Sequence, residues 1–386
     1  MELTRRNNGE FSFEFWIFSE PAKSYTGAIS FWCRSIDHIM KKAKVAVFGA
    51  SGYIGEELLK RLSGHPLVEL GCLTSRQYAG KKASDVFGWI GRRSSLANLD
   101  FIEPDLPPLT SLGIEFAFLA LPHGVASEFA VPLLEQGITV IDLSADFRVK
   151  DPEVYKYFYK NEHPAPALLQ KSVYGLPEAY RDRIRSAKLL ACPGCYPTSI
   201  LVPLLPVIRA KMIRLSSIVV NSLSGVSGAG RKADTDLLFV ECNESARPYG
   251  LPSHRHLSEI EQEISIAAGE PVIIQFAPHL IPLSRGIITT IHVDPLTSMS
   301  VDSLEEVYET AYGSEWFIRL LGPTRYPDVK NVVGTNWLEI AWRIDPRTGR
   351  VILMSAVDNL VKGAAGQAIQ CFNLMNGWDE ALGLGI

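Results

Sequence analysis

One cysteine of this chain lies at the junction between an apolar segment and a helical pattern. Residues 187–191 predict a short buried strand, and the periodicity of 198–211 predicts a helix. Cys195 therefore lies near a helix N-terminus, whose free N–H groups stabilise a thiolate and would hold an oxyanion. A buried cysteine in a strand-to-helix turn is the alternative. The neighbouring prolines and glycine favour chemistry at this position.

A glycine-rich turn joins an apolar strand predicted at 44–48 to a helix predicted at 56–62. This order of strand, turn and helix is typical of a dinucleotide-binding unit. The first glycine permits the tight turn, the second lets the backbone approach a pyrophosphate, and the third lets the helix pack on the strand. The expected cofactor-binding residues of the turn are Gly49, Ser51, Gly52, Tyr53, Ile54 and Gly55.

The end of the next predicted strand, 68–73, bears on the choice of nicotinamide cofactor. A site for NAD usually places an acidic residue there for the ribose 2′-hydroxyl group, whereas an arginine suits the 2′-phosphate of NADP. Here Ser75 and Arg76 follow the strand without an acid, and Lys81 and Lys82 are close in sequence. A solvated basic loop is the alternative. The pattern favours NADP, with Ser75 and Arg76 as binding residues.

The composition is typical of an enzyme that acts on a small molecule. The 386 residues carry 38 basic and 42 acidic side chains, a formal net charge of −4, without a basic stripe for nucleic acid. No apolar run reaches the roughly 20 residues of a membrane span. Six irregularly spaced cysteines do not form a disulfide framework, which favours a reducing, cytoplasmic location.

Alternating strand and helix patterns before Cys195 predict a Rossmann-type α/β domain with a doubly wound parallel sheet. The patterns after it predict an α+β substrate and dimerisation domain with a largely antiparallel sheet. We expect the dinucleotide-binding domain at 40–195, the second domain at 196–357, and at 358–386 a last helix that returns to the first domain. Helices within the second domain are expected at 233–240, 257–267 and 301–312.

Residues 1–39 are expected to be an extension of uncertain structure, because the fold pattern begins abruptly after Met40. Chain termini tolerate truncation best, so a chain that starts at Met40 is expected to fold and to keep its activity. An aromatic cluster between Phe11 and Trp32 that covers a surface or a subunit contact is the alternative.

His254 and His256 are the expected proton-transfer groups of the second domain. A histidine changes its protonation near neutral pH, so it can accept and return a proton within one turnover. Glu259 and Glu261 would orient a histidine or belong to a solvated helix face. The spacing of the other histidines does not match a metal site, so no metal is expected.

The loop 224–231 is rich in small residues that would let a ligand approach the backbone. Ser224 and Gly225 are therefore candidates for substrate binding, and Arg231 would bind an anion. A flexible connector is the alternative for this loop taken alone.

Taken together, eight motifs resemble the N-acetyl-γ-glutamyl-phosphate reductases of arginine biosynthesis. The motifs around Cys195 and Ser224 are highly specific, whereas the glycine-rich turn alone is not. The chain departs from the family pattern at Cys192, where asparagine usually stands; the resulting Cys-x-x-Cys spacing lacks thioredoxin-like surroundings. The motifs are the glycine-rich turn and the segments 121–124, 142–148, 174–178, 193–198, 224–231, 254–256 and 358–363.

The resemblance implies a second domain like that of glyceraldehyde-3-phosphate dehydrogenase, a homo-oligomer, and NADPH-dependent reduction of an acyl phosphate. Cys195 would form a thioester, and of the two histidines the resemblance favours His254 as the proton carrier. Arg148 and Arg231 would bind the phosphate or carboxylate of the substrate, and Asn359 would lie near the nicotinamide.

Two alternatives to this function stay open. One is the related reductase of lysine synthesis, whose aminoadipyl phosphate is one methylene longer and sits on a carrier protein. A methylene group in a pocket changes binding by only about 1–3 kcal/mol, so these residues separate the two substrates poorly. The other is a non-catalytic regulator that binds NADP; the presence of Cys195 with both histidines argues against it.

Overall fold

The computed structural model describes residues 2–5, 11–14, 42–104, 109–231 and 233–385. The chain divides into two units, residues 1–41 and 42–386. In the first unit the strands β1 (Glu2–Arg5) and β2 (Phe11–Glu14) pair antiparallel. The rest of the expected extension lies outside the described residues.

A seven-stranded sheet in which every pairing is parallel opens the second unit. Its strands are β3 (Ala43–Phe48), β4 (Val68–Thr74), β5 (Phe101–Ile102), β6 (Phe116–Leu119), β7 (Thr139–Asp142), β8 (Val173–Tyr174) and β9 (Leu189–Ala191). The order β5-β4-β3-β6-β7-β9-β8 winds outward in both directions from β3, which confirms the predicted doubly wound sheet. The central strands are continuous apolar runs because helices cover both faces of the sheet.

The helices of this part begin at positions that their sequences favour. Asp151 caps one of them by accepting a hydrogen bond from the N–H of Glu153. Proline is the first residue of three of these helices, that one included. These helices are Tyr53–Leu62, Ala83–Val86, Ala126–Glu135, Pro152–Tyr159, Pro166–Leu169 and Pro177–Arg185.

The last helix, Gly366–Met375, packs against the parallel sheet. Its residues Ile369 and Phe372 share an apolar core with Val45, Val47 and Phe118 of that sheet. A π-helical turn, Val361–Ala365, precedes the helix. The sequence predicted one uninterrupted helix here; π-helical turns of this kind are frequent at functional sites.

A second seven-stranded sheet follows, with four antiparallel and two parallel pairings. Its strands are β10 (Val219–Ser224), β11 (Arg247–Pro248), β12 (Gln275–Leu280), β13 (Ile287–Val293), β14 (Ile318–Gly322), β15 (Leu338–Ile344) and β16 (Val351–Val357). The order is β11-β12-β10-β13-β16-β15-β14. The prediction of a largely antiparallel sheet is confirmed.

Three helices cover one face of this sheet: Cys195–Arg209, Leu257–Ala268 and Val301–Tyr312. The prediction of a helix at 233–240 is wrong. That stretch forms a 3-10 turn and a single helical turn, Phe239–Cys242, because its apolar side chains find nothing to pack against and a short helix is marginal alone. Another one-turn helix is Val329–Val332. No helix of the described ranges is long and apolar enough to cross a membrane.

Candidate active site

Cys195 is the first residue of the helix Cys195–Arg209, directly after β9, with Gly194 as the N-cap. Burial raises the pKa of the Cys195 thiol to about 11, while the charge of Arg148 and the backbone N–H groups of Cys195 and Tyr196 oppose that rise. Burial thus opposes the stabilisation of a thiolate that was expected from the helix N-terminus. Desolvation outweighs the helix N-terminus, and the thiol is neutral at pH 7.

The π-helical turn brings the motif 358–363 against the nucleophile. A Cβ atom added to Gly363 would lie 2.8 Å from the Cβ of Cys195, so only glycine fits there. Asp358 shapes this turn by accepting hydrogen bonds from the N–H of Leu360 (2.8 Å) and of Gly334 (2.6 Å). The last helix and the nucleophile helix are thus fixed to each other beside the thiol.

His254 and His256 lie beside the nucleophile helix, as the sequence predicted. Both rings contact Tyr196, and their centroids are 5.0 Å apart. A Cβ atom added to Gly194 would lie 2.6 Å from Nε2 of His256, so this ring abuts the turn before Cys195. Burial and the charge of the exposed Arg255 lower the pKa of His254 to about 4. Burial, His254 and the charges of Arg148 and Arg255 lower the pKa of His256 well below its ordinary value. Both imidazoles are neutral at pH 7.

The two imidazoles differ in the ring nitrogen that is free. Nδ1 of His254 accepts a hydrogen bond from the backbone N–H of His256 at 3.2 Å, so the proton of a neutral His254 resides on Nε2. Nδ1 of His256 is buried and has no hydrogen-bond partner among the described residues. His254 is therefore set up to donate a hydrogen bond from Nε2, whereas no partner among the described residues fixes which ring nitrogen of His256 carries the proton.

These protonation states predict the reactivity of the thiol toward an alkylating agent. Because burial raises the Cys195 pKa, the rate of alkylation by iodoacetamide should still be rising at pH 10. The measurement is the second-order rate constant against pH, with the site of modification identified by mass spectrometry. A plateau reached at or below pH 8 would mean that the thiolate is already formed, contrary to this account.

Arg148 is buried beside the same turn, with its guanidinium engaged by protein groups. Nε donates to the carbonyl oxygen of Cys192 at 2.7 Å, Nη2 to that of Leu143 at 3.0 Å, and Nη1 to Glu259 at 3.3 Å. A contact of Arg148 with substrate stays a prediction. Glu259, expected to orient a histidine or face solvent, instead accepts a hydrogen bond from the N–H of Gly194 at 2.6 Å.

The loop 224–231 follows β10 and contacts Asn359. Asn359 holds it: the Asn359 amide donates to Oγ of Ser227 at 3.0 Å and accepts from the N–H of Gly286 at 2.7 Å. A Cβ atom on Gly225 would lie 2.8 Å from the backbone of Arg285, which explains the glycine. The predicted substrate contacts of Ser224 and Gly225, and the nicotinamide contact of Asn359, stay predictions.

Arg231, at the end of this loop, reaches the glycine-rich turn. Its guanidinium lies 4.9 Å from the ring centroid of Tyr53 and forms an ion pair with Glu56. Both partners belong to the helix that follows the turn. The structure thus brings Arg231 to the predicted cofactor site; its binding of a substrate anion stays a prediction.

The glycine-rich turn has the shape of a dinucleotide cradle. Gly49 has φ +70° and abuts the carbonyl of Ala120, and a Cβ atom on Gly55 would lie 2.6 Å from the Cα of Ala50. At Gly52, the N-cap of the helix Tyr53–Leu62, the nearest atom to an added Cβ is 3.5 Å away, which leaves the helix N-terminus open to an anion. The residues present therefore fit a pyrophosphate.

The side chains at the end of β4 fit the 2′-phosphate of NADP. Oγ of Ser75 lies 2.8 Å from Oγ of Ser51, which ties the end of β4 to the glycine-rich turn. Arg76 is exposed and makes no hydrogen bond or ion pair with any residue of the described ranges. A free guanidinium next to the cradle is suited to a phosphate group.

Comparison with known proteins agrees with this architecture. The sequence profile of the semialdehyde dehydrogenase NAD binding domain matches residues 44–187, and that of the semialdehyde dehydrogenase dimerisation domain matches 195–359. Aspartate semialdehyde dehydrogenase II of Vibrio cholerae has the same fold, with a TM-score of 0.67 at 20% identity over 87% of this chain and 99% of that one.

Relatives that are closer in sequence share one name. The N-acetyl-gamma-glutamyl-phosphate reductase of Akkermansia muciniphila is 54% identical over 345 residues, 89% of this chain and 99% of that protein. The enzyme of the same name from Alkaliphilus metalliredigens is 44% identical over 88% of this chain and 97% of its own length. With its nucleophile motif, histidine pair and dinucleotide cradle in place, this chain belongs to the N-acetyl-gamma-glutamyl-phosphate reductase family.

Proposed function

We propose that this chain reduces N-acetyl-γ-glutamyl phosphate with NADPH, giving N-acetylglutamate 5-semialdehyde and phosphate, a step of arginine biosynthesis. The observation that carries this proposal is the position of Cys195 at a helix N-terminus, with the rings of His254 and His256 packed beside it. The identity of 54% with a reductase of that name supports the substrate. It also favours this substrate over the aminoadipyl phosphate of lysine synthesis and over a non-catalytic role.

The first half of the reaction forms a thioester on Cys195. Sγ attacks the acyl carbonyl carbon while His256 removes the thiol proton, which a neutral imidazole with a free lone pair can accept. The carbonyl electrons move to an oxyanion held by the N–H groups of Cys195 and Tyr196. The oxyanion then collapses, the carbon–oxygen bond to phosphate breaks, and His256 passes its proton to the leaving phosphate.

The second half reduces the thioester and frees the enzyme. NADPH, when bound, supplies the hydride that is added to the thioester carbon. The same N–H groups and the Nε2–H of His254 stabilise the oxyanion that results. Its collapse restores the carbonyl group as an aldehyde and expels the sulfur of Cys195 as a thiolate, which takes up from solvent the one proton that the net reaction consumes.

The glycine-rich turn would hold the pyrophosphate of the cofactor, and Ser75 with Arg76 would hold its 2′-phosphate. Arg231 would lie at the mouth of this site, and Asn359 would set the wall next to the nicotinamide through the loop that it binds. The proposed domains are the dinucleotide-binding domain at 40–195, the substrate and dimerisation domain at 196–357, and the returning C-terminal segment at 358–386. The five cysteines that the structure describes are free thiols, which supports a reducing, cytoplasmic location.

Arg76→Ala is expected to raise the KM for NADPH about tenfold or more and to leave the KM for NADH within about twofold. A charge-assisted hydrogen bond is worth about 1.5–3 kcal/mol, and only NADPH carries the phosphate that makes it. Steady-state kinetics with both cofactors measure the difference. Lys82→Ala, a few residues further on, is the matched control, and equal effects of Arg76→Ala on both cofactors would contradict the assignment.

The second sheet offers a surface for another copy of this chain. One of its faces is buried under the nucleophile helix, and on the other face Val219, Leu223, Ile288, Ile352 and Met354 are only half-buried. Strand register places these five side chains on one side. These apolar side chains alternate with Asn221, Thr290 and His292 on the same side, and such a mixed face is typical of subunit interfaces. The matched family is described as a dimerisation domain.

Ile288→Glu should therefore convert the protein to a monomer of 42.6 kDa, because a carboxylate cannot be buried unpaired in an interface. Light scattering after gel filtration measures the molar mass. Ile273→Glu is the control, since Ile273 is 81% exposed and does not lie on that face. An oligomer that survives Ile288→Glu would place the subunit contacts elsewhere, and a wild-type protein that is already a monomer would contradict the proposed oligomer.

A further inference from the structure

A buried carboxylate holds the turn that leads into the nucleophile. Glu259, on the helix Leu257–Ala268, is fully buried. Its Oε1 accepts hydrogen bonds from the N–H of Gly194 at 2.6 Å and from the hydroxyl of Tyr174 at 2.9 Å. Its Oε2 accepts from Nη1 of Arg148 at 3.3 Å. Two of these three hydrogen bonds therefore come from the turn that leads into Cys195 and from the arginine beside it.

Arg148 binds the same turn at Cys192, two residues before Gly194. Its Nε donates to the carbonyl oxygen of Cys192 at 2.7 Å, and its Nη2 donates to Leu143 at the end of β7. The buried cation of Arg148 thus binds the carbonyl oxygen of Cys192, and the buried anion of Glu259 binds the N–H of Gly194. Each charge compensates the other, as burial of either alone would be strongly unfavourable.

The ion pair between Arg148 and Glu259 also bears on the position of the nucleophile. Gly194 is the N-cap of the nucleophile helix, so its orientation determines where Sγ of Cys195 points. The same residue abuts Nε2 of His256, three residues before Glu259 on the chain. A shift of the turn would therefore change the distance between the thiol and the imidazole that receives its proton. Misplacement by about 1 Å can cost on the order of a hundredfold in rate.

We propose that Arg148 and Glu259 form a clamp that positions the turn 192–194, so that Cys195 and His256 stay aligned for proton transfer. Both are positioning residues, a role that differs from the predicted contact of Arg148 with substrate. The proposal deepens the proposed function and rests on it. It also predicts that neither side chain of the clamp can be replaced by a neutral one without a change in the behaviour of the thiol.

The clamp also sets the electrostatic surroundings of the thiol. The charge of Arg148 lowers the Cys195 pKa and that of Glu259 raises it. The other titratable groups near the thiol are His254 and His256, which are neutral at pH 7, and the phenol groups of Tyr196 and Tyr249. Arg255, beside the histidines, is the further cation. Loss of the Glu259 charge alone would leave the Arg148 charge uncompensated and favour the thiolate.

The test compares Glu259→Gln with Glu263→Gln. Glu263 lies one turn further along the same helix and binds the Tyr180 hydroxyl, away from the turn 192–194. Three quantities are measured for each variant: kcat, the affinity for NADPH by fluorescence, and the pH profile of Cys195 alkylation by iodoacetamide. Glu259→Gln should lower kcat by about tenfold or more, shift the alkylation profile to lower pH, and leave NADPH affinity within about twofold. Glu263→Gln should match the wild type in all three.

An unchanged alkylation profile and kcat in Glu259→Gln, or the same losses in Glu263→Gln, would overturn the clamp. If Glu259→Gln fails to fold, Tyr174→Phe takes its place, because it removes one hydrogen bond to Oε1 and keeps both charges. It should lower kcat by a smaller factor, without the pH shift, and an unchanged kcat would again overturn the clamp. Alkylation needs no acyl phosphate, so it tests the clamp even if the wild-type enzyme reduces a different substrate.

Discussion

Cys195→Ser is expected to lower kcat by on the order of 10⁴-fold or more, while the affinity for NADPH stays within about twofold. A serine hydroxyl is a far weaker nucleophile than a thiol, and an ester is reduced less readily than a thioester. The cradle for the cofactor lies on the parallel sheet and contains no atom of Cys195. NADPH oxidation gives kcat, and fluorescence titration gives the affinity.

Cys192→Ala is the matched control for this variant. Cys192 is three residues away and fully buried in the apolar core of the parallel sheet, where burial raises the pKa of its thiol. Alanine keeps that environment apolar, so activity should stay within about threefold of wild type at some cost in stability. An inactive Cys192→Ala together with an active Cys195→Ser would reverse the assignment of the nucleophile.

The second large effect is expected at His256. His256→Gln should slow thioester formation by about 10²–10⁴-fold, the usual contribution of a general base. Mixing enzyme and acyl phosphate without NADPH and following phosphate release, with mass spectrometry of Cys195, measures this step alone. His254→Gln should form the thioester at nearly the wild-type rate and slow its reduction instead, because the Nε2–H of His254 stabilises the later oxyanion.

The opposite pattern would support the assignment that the family resemblance favours. If His254→Gln lost the phosphate burst and His256→Gln kept it, His254 would be the base. The hydrogen bond from the His256 backbone to Nδ1 of His254 would then have to break when substrate binds. Equal losses in both variants would mean that the two imidazoles act as one relay.

The parts of the site that depend on neighbouring residues could be predicted from the sequence. Gly49 and Gly55 are required by a positive φ and by a close backbone contact within a few residues. The position of Cys195 at a helix N-terminus follows from the strand before it and the apolar period after it. The helix Val301–Tyr312 was predicted with its observed bounds, because Ser300 caps it and its apolar spacing is regular.

Features that depend on distant partners could not be predicted. Glu259 and Gly194 are 65 residues apart, and only the fold shows that this glutamate is buried beside the turn rather than solvated. The raised pKa of Cys195 has the same origin, since the sequence shows the helix N-terminus and hides the desolvation. Glu178 and Lys362, which belong to two of the motifs, form a fully buried ion pair with an N–O distance of 2.6 Å.

The most direct test of the proposed function is NADPH oxidation with two acyl phosphates in parallel. Purified enzyme is given N-acetyl-γ-glutamyl phosphate or the carrier-bound aminoadipyl phosphate, with iodoacetamide-treated enzyme as the control. We expect kcat/KM to be higher for the acetylglutamyl substrate by about 10–200-fold, with no oxidation by the alkylated enzyme. A preference for the aminoadipyl substrate, or no oxidation with either, would contradict the account.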